Sequence, residues 1–168
     1  MPSTRSKLPH KRLNLDRFKK TSQGLIEFAI LVEQAEPKNA ENILAMAREV
    51  DPDFVFQALR KVVYFEEIVH VDEGVLAEIL GKASPKILAF ALHDRDEAFR
   101  HHVLRHLSLS DRKAVLEEQE RMGTRVTKQF ILGAQKHLLK MGRELESRGV
   151  ITFEASDAPR LNPKKKRA

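Results

Sequence analysis

The chain contains no cysteine, which removes disulfides, thiolate metal ligands and cysteine nucleophiles from consideration. Tryptophan is absent, and one tyrosine with nine phenylalanines leaves few aromatic platforms on which single-stranded bases could stack. Seven glycines and seven prolines in 168 residues are too few for the turn-dense chain of an all-β protein. No apolar run approaches the ~18 residues of a membrane span, and no basic–apolar–small pattern marks a secretory leader. The phosphate-cradling GxxxxGK(S/T) and GxGxxG loops are missing, as is the GxSxG elbow of serine hydrolases. These absences point to a cytoplasmic, all-helical, non-enzymatic protein without a cofactor or small-molecule substrate.

What is present is a succession of helix signals. The run from Gln23 to Val32 reads as a short helix that Pro37 ends or restarts. Ile43, Leu44, Met46, Ala47 and Val50 form an apolar stripe at helical spacing. Asp51-Pro52 combines a capping carboxylate with a proline at the first helical position, opening a helix with Phe54, Val55, Ala58, Leu59 and Val62 on its inner face. Val62-Val63-Tyr64-Phe65 is the most β-like stretch and, between helical flanks, reads as a packed corner or hinge. Beyond it Asp72, Ser84, Asp94 and Ser110 are each expected to start a helix. Gly123 stands where a left-handed C-cap belongs. Thr127 opens the longest element, with Phe130, Ile131, Ala134, Leu138, Met141 and Leu145 at mixed three- and four-residue steps and Gly149 at its end. Val150–Phe153 is expected to tuck back onto the core. Short helices joined by capped turns stack against nearest neighbours as armadillo-like arrays do, so the predicted fold is an all-α, right-handed armadillo-like stack ending in a long helix.

The net charge of +6 is unevenly placed. Residues 1–20 hold seven Lys/Arg against Asp16 alone, and residues 154–168 hold five against Glu154 and Asp157, leaving residues 21–153 at −3. The two ends are therefore expected to be basic, disordered tails. An alternative function follows from them, in which the tails bind nucleic acid or an anionic membrane surface while the helical body is a spacer.

His102 and His106 are four apart and could share a helix face, but no carboxylate joins them at the spacing of a zinc-protease helix, and no metal site is expected. Glu117 and Glu118 are expected to pair with Lys113 and Arg121 along their own helix.

A longer pattern ties these pieces together. Asn42-Ile43-Leu44, Asp51-Pro52-Asp53 and the run Ala58 to Val69, with Val62-Val63-Tyr64-Phe65-Glu66-Glu67-Ile68 in it, resemble the C-terminal half of the FliG family, the flagellar motor switch proteins. Leu88-Ala89-Phe90-Ala91-Leu92, Met122-Gly123, Ala134-Gln135-Lys136, Arg143-Glu144-Leu145-Glu146 and Gly149-Val150-Ile151 follow in the family's order. The resemblance implies an armadillo-like unit over 21–63, a hinge at Val62, Val63, Tyr64 and Phe65, and a six-helix subdomain over 64–153. It implies a charged ridge facing the stator, whose adjacent acids fall on Glu117 and Glu118. The family's basic ridge positions fall on His93, Ser110 and Val126, with Arg112 and Arg125 close by. It also implies a shortened FliG-like protein, lacking the family's N-terminal domain and middle armadillo unit. Its expected partners are full-length FliG or other switch-complex proteins, the stator, or a second copy, at the flagellar basal body on the inner membrane. Ile26, Ile30, Ile43 and Ala47 are the expected apolar flank for stacking, because a terminal armadillo unit leaves one face without a neighbour.

Overall fold

The computed structural model describes residues 13–154, which fall into two compact units, one of residues 13–62 and the other Val63–Glu154. The expected basic tail over 154–168 lies, apart from Glu154, outside the described residues, as do residues 1–12 of the expected basic arm.

The first unit holds α1 (Asp16–Lys19), α2 (Gly24–Gln34), α3 (Pro37–Val50) and α4 (Pro52–Leu59). Proline occupies the first helical position of α3 and α4, where its missing N–H leaves no intrahelical bond unmade. Asp51 caps α4, its carboxylate accepting from the Phe54 amide at 2.9 Å. Phe28 is fully buried at the centre, with Phe18 and Phe54 each meeting its ring edge-on, at centroid distances of 5.4 and 5.5 Å. Ala29, Ala47 and Ala58 are fully buried, and their small side chains let the helices approach closely.

Residues 13–20 correct the expectation of a disordered arm reaching to residue 20. They carry α1, and both Leu15 and Phe18 are buried. Two apolar residues three apart suffice to seat one helical turn on α2, even in a basic stretch. Gly24 makes this possible by close approach: a Cβ there would overlap the Phe18 carbonyl.

The second unit comprises a 3₁₀ helix (Phe65–His70), α5 (Glu73–Lys82), α6 (Pro85–Ala91), α7 (Glu97–Leu104), α8 (Leu109–Met122) and α9 (Lys128–Ser147). Helix α6 is the inner element, packing against both α8 and α9 with Leu88, Ala89, Ala91 and Leu92 buried. Each fully buried Leu or Ile here, such as Leu76, Ile79 and Leu138, contributes about 1.5–3 kcal/mol of transfer free energy. Four of the five α-helices start on Asp72, Ser84, Ser108 and Thr127, whose side chains accept from backbone amides two or three residues on.

Two expected caps differ. Asp96, not Asp94, caps α7, accepting from Phe99 at 2.8 Å. Asp94, an exposed residue, instead accepts from the amide of the buried Gln135 at 2.9 Å, while the same amide nitrogen donates to the Ala91 carbonyl at 3.0 Å. Ser108, not Ser110, caps α8, so that helix begins a half-turn early. Gly123 ends it with φ +53°, a conformation L residues resist. Ile151 and Phe153 do fold back against the core. The Phe153 N–H donates to Glu146, and the Arg143 guanidinium lies 5.3 Å from the Phe153 ring centroid. Arg143 is buried and ion-paired with Glu146 at 2.5 Å, so its charge is compensated where water is excluded.

Candidate functional site

Helix α8 carries the ridge candidates. Val115 is fully buried and anchors the helix to α6, which fixes which residues turn outward. Glu117 is exposed and Glu118 half-buried. Lys113 and Arg121 bracket them: Lys113 and Arg121 each lie 3.9 Å from Glu117, and Arg121 donates to Glu118 at 2.8 Å. The pairs expected from spacing thus form, and Arg121 serves both acids. Each exposed pair of this kind is worth about 0.3–0.5 kcal/mol, so the ridge is electrostatically balanced rather than strongly held.

Arg112 does something else. Its Nε–H donates to the Leu104 carbonyl at 3.0 Å and a terminal N–H to the Arg105 carbonyl at 3.5 Å. These are C-terminal carbonyls of α7, which have no partner within that helix, so the guanidinium closes α7 and complements its dipole. Arg125 is exposed just past Gly123. His93 and Ser110 are exposed and Val126 is half-buried. Sequence reasoning missed the apolar edge of this ridge: Leu109 (81% exposed) and Leu116 (45%) are seven residues apart on one face of α8. The helix is polar nearly all round, so no amphipathic pattern flags them.

The corner residues sit where the two units are divided, between Val62 and Val63. Residues 61–64 are non-helical, the Tyr64 N–H donates to Glu67 at 2.7 Å, and Phe65 is buried with its ring 5.7 Å from Phe99. The stacking-flank candidates separate. Ile26, Ile30 and Ile43 are half-buried, whereas Ala47 is fully buried and is removed from the set. Ile30 lines an open groove with Arg17, Phe18, Glu27, Leu31 and Gln34.

His102 and His106 do share a face, with ring centroids 5.2 Å apart. His102 Nε2 lies 3.4 Å from the Val69 carbonyl, and His106 Nε2 accepts from Arg105 at 3.4 Å. Among the described residues no group of three or more His, Cys, Asp or Glu is placed to hold a metal ion, and no helix is long and apolar enough to cross a membrane.

The described residues are all-helical, with a small helical stack in one unit and a row of ion-paired charges along α8 in the other. A model of the FliG C-terminal domain matches residues 37–153, and the chain belongs to that family. The flagellar motor switch protein FliG of Pseudomonas aeruginosa is 26% identical over 141 residues, covering 83% of this chain and 41% of that protein. The FliG of Helicobacter pylori is 27% identical over 151 residues, covering 89% and 44%. Among solved structures, a crystal structure of H. pylori FliG (residues 86–343) is similar with a TM-score of 0.60 at 25% identity, covering 83% of this chain and 65% of that one. Full-length FliG from Aquifex aeolicus matches with a TM-score of 0.51 at 26% identity, covering 79% and 41%. The chain spans less than half the length of these curated relatives.

Proposed function

We propose that the chain is a non-enzymatic component of the flagellar motor switch that acts by binding other proteins. The observation that carries this is the family match over residues 37–153, which takes in α3, α4 and nearly all of the second unit. The apolar side of α2 and α3, with Ile26, Ile30 and Ile43, stacks against helices of full-length FliG or of another switch-complex protein at the cytoplasmic face of the inner membrane. The α8 ridge, with Glu117 and Glu118, makes charged contacts with the stator together with Arg125 just beyond the helix. The Val62–Phe65 corner is the hinge between the armadillo-like unit and the six-helix subdomain.

Charge matching across an interface depends on position and sign. With Arg112 tied to α7 and Glu117 and Glu118 already paired along α8, the ridge offers less uncompensated charge to a partner than its residue types suggest. Stacking is therefore the main source of affinity and the stator contact the weaker one. Co-purification of the full chain with full-length FliG, its switch partner and the cytoplasmic stator loop tests this. Retention of FliG is expected, with loss on Ile30→Asp; retention of none of the three overturns it.

A further inference from the structure

Helix α8 leaves one stripe uncovered. Leu109 (81% exposed), Lys113, Leu116 (45%) and Glu120 are all exposed and recur at four-, three- and four-residue steps. At that spacing they lie within about 60° of one another around the helix, while Val115 holds the far side in the core. The charges on the stripe are weakly engaged: Lys113 approaches Glu117 only to 3.9 Å, and among the described residues Glu120 makes no ion pair. The order along the stripe is balanced about Leu116. At a rise of about 1.5 Å per residue, Lys113 lies about 4.5 Å toward the start of the helix and Glu120 about 6 Å toward its end, with Leu109 and Gly123 each about 10.5 Å away on opposite sides. A Cβ at Gly123 would meet nothing within 4 Å, so the space beside that residue is open.

We propose that this stripe is a dimer face, on which a second copy of the chain docks its own α8 antiparallel to the first about a two-fold axis at Leu116. An interface between identical surfaces needs a patch that is its own complement. Turned end for end about Leu116, the stripe meets its copy with Lys113 opposite Glu120 and Glu120 opposite Lys113. Leu116 then packs on Leu116, and Leu109 projects over the open side of Gly123. A parallel pairing sets Lys113 against Lys113 and Glu120 against Glu120, so charge selects the antiparallel arrangement. The leucines supply the apolar burial and the crossed charges set the register. One helix per copy is a small contact, in the class of weak encounters that bury less than about 1,200 Å², so the dimer forms at high micromolar protein. This inference does not depend on any motor partner.

The test is sedimentation equilibrium on the full chain at up to about 0.5 mM, as wild type, Leu116→Asp, Lys113→Glu, Glu120→Lys and the double exchange Lys113→Glu/Glu120→Lys. The three positions are exposed, so the fold is expected to survive each change. Leu116→Asp is expected to abolish the dimer. Each single reversal sets two like-charged pairs across the axis and is expected to raise the dimer dissociation constant at least about tenfold. The double exchange rebuilds both pairs with their signs swapped and is expected to return the constant to within about threefold of wild type. A wild-type chain that stays monomeric at the highest concentration overturns the proposal, as does a double exchange that dimerises no better than either single reversal. A dimer that survives Leu116→Asp lies on another face and overturns it as well.

Discussion

Arg112 on α8 donates through Nε to the Leu104 carbonyl at 3.0 Å, so a residue whose position suggests a partner-facing charge instead closes the preceding helix. A charged hydrogen bond of this kind is worth about 1.5–3 kcal/mol, and its removal leaves the Leu104 carbonyl with the Leu107 amide as its protein donor. Arg112→Ala is expected to destabilise the second unit by roughly that amount, read as a lower denaturant midpoint. Arg125→Ala, on an exposed loop residue, is expected to change stability by less than about 0.5 kcal/mol.

The Lys19–Asp51 pair gives the first unit a pH dependence. The Lys19 ammonium, assisted by the Phe54 amide, holds the Asp51 carboxyl below its ordinary value of 3.8. A depressed folded value means that the ionised acid stabilises the folded form above the unfolded value, and that this contribution is lost as pH falls through the folded one. The Leu15–Lys19 amides are therefore expected to exchange faster with solvent below about pH 4 relative to other helical amides. Lys19→Ala should remove the pH effect; an unchanged ratio of Leu15–Lys19 exchange to that of other helical amides between pH 6 and pH 3 in wild type contradicts it.

Core truncation should separate the two units. Phe28→Ala removes the ring that both Phe18 and Phe54 meet, at an expected cost of about 3–5 kcal/mol. Amide exchange is expected to rise throughout α2 and α4 while the α6 and α9 amides keep their protection. Loss of protection throughout Val63–Glu154 contradicts the division between Val62 and Val63.

The ridge acids should matter for binding and little for folding. Glu117→Lys with Glu118→Lys replaces surface pairs, one acid exposed and the other half-buried, that contribute only tenths of a kcal/mol each, so stability is expected to move by less than about 1 kcal/mol. Binding to a stator-loop peptide is expected to fall and to lose its salt dependence. A large drop in stability would assign these residues to the fold instead.

Much of this molecule is legible in its sequence because the signals are local. Asp51-Pro52, Ser84-Pro85, Asp72 and Thr127 start helices through their own side chains and fixed φ angles, with no help from the rest of the chain. The exchanged caps are where tertiary contacts win. Asp94 is claimed by Gln135, 41 residues away, which leaves Asp96 to start α7. Leu15 and Phe18 are hidden by basic neighbours, since two apolar residues cannot establish a period. Ala47 has the spacing of the flank but the burial of a helix contact, and a methyl group alone does not show which. The acid pair on α8 is visible as residues, while the diversion of Arg112 to α7 is not, because an arginine's reach across a turn is set by where the previous helix ends.

The most direct measurement is the affinity of the full chain for full-length FliG at low and high ionic strength. Raising salt from about 0.1 to 1 M shortens the screening length from about 10 to 3 Å, which abolishes exposed charge contacts and spares apolar stacking. Binding is predicted to persist at the higher salt and to be lost in Ile30→Asp. A chain that binds no FliG, or one whose binding vanishes with salt and ignores Ile30→Asp, contradicts it.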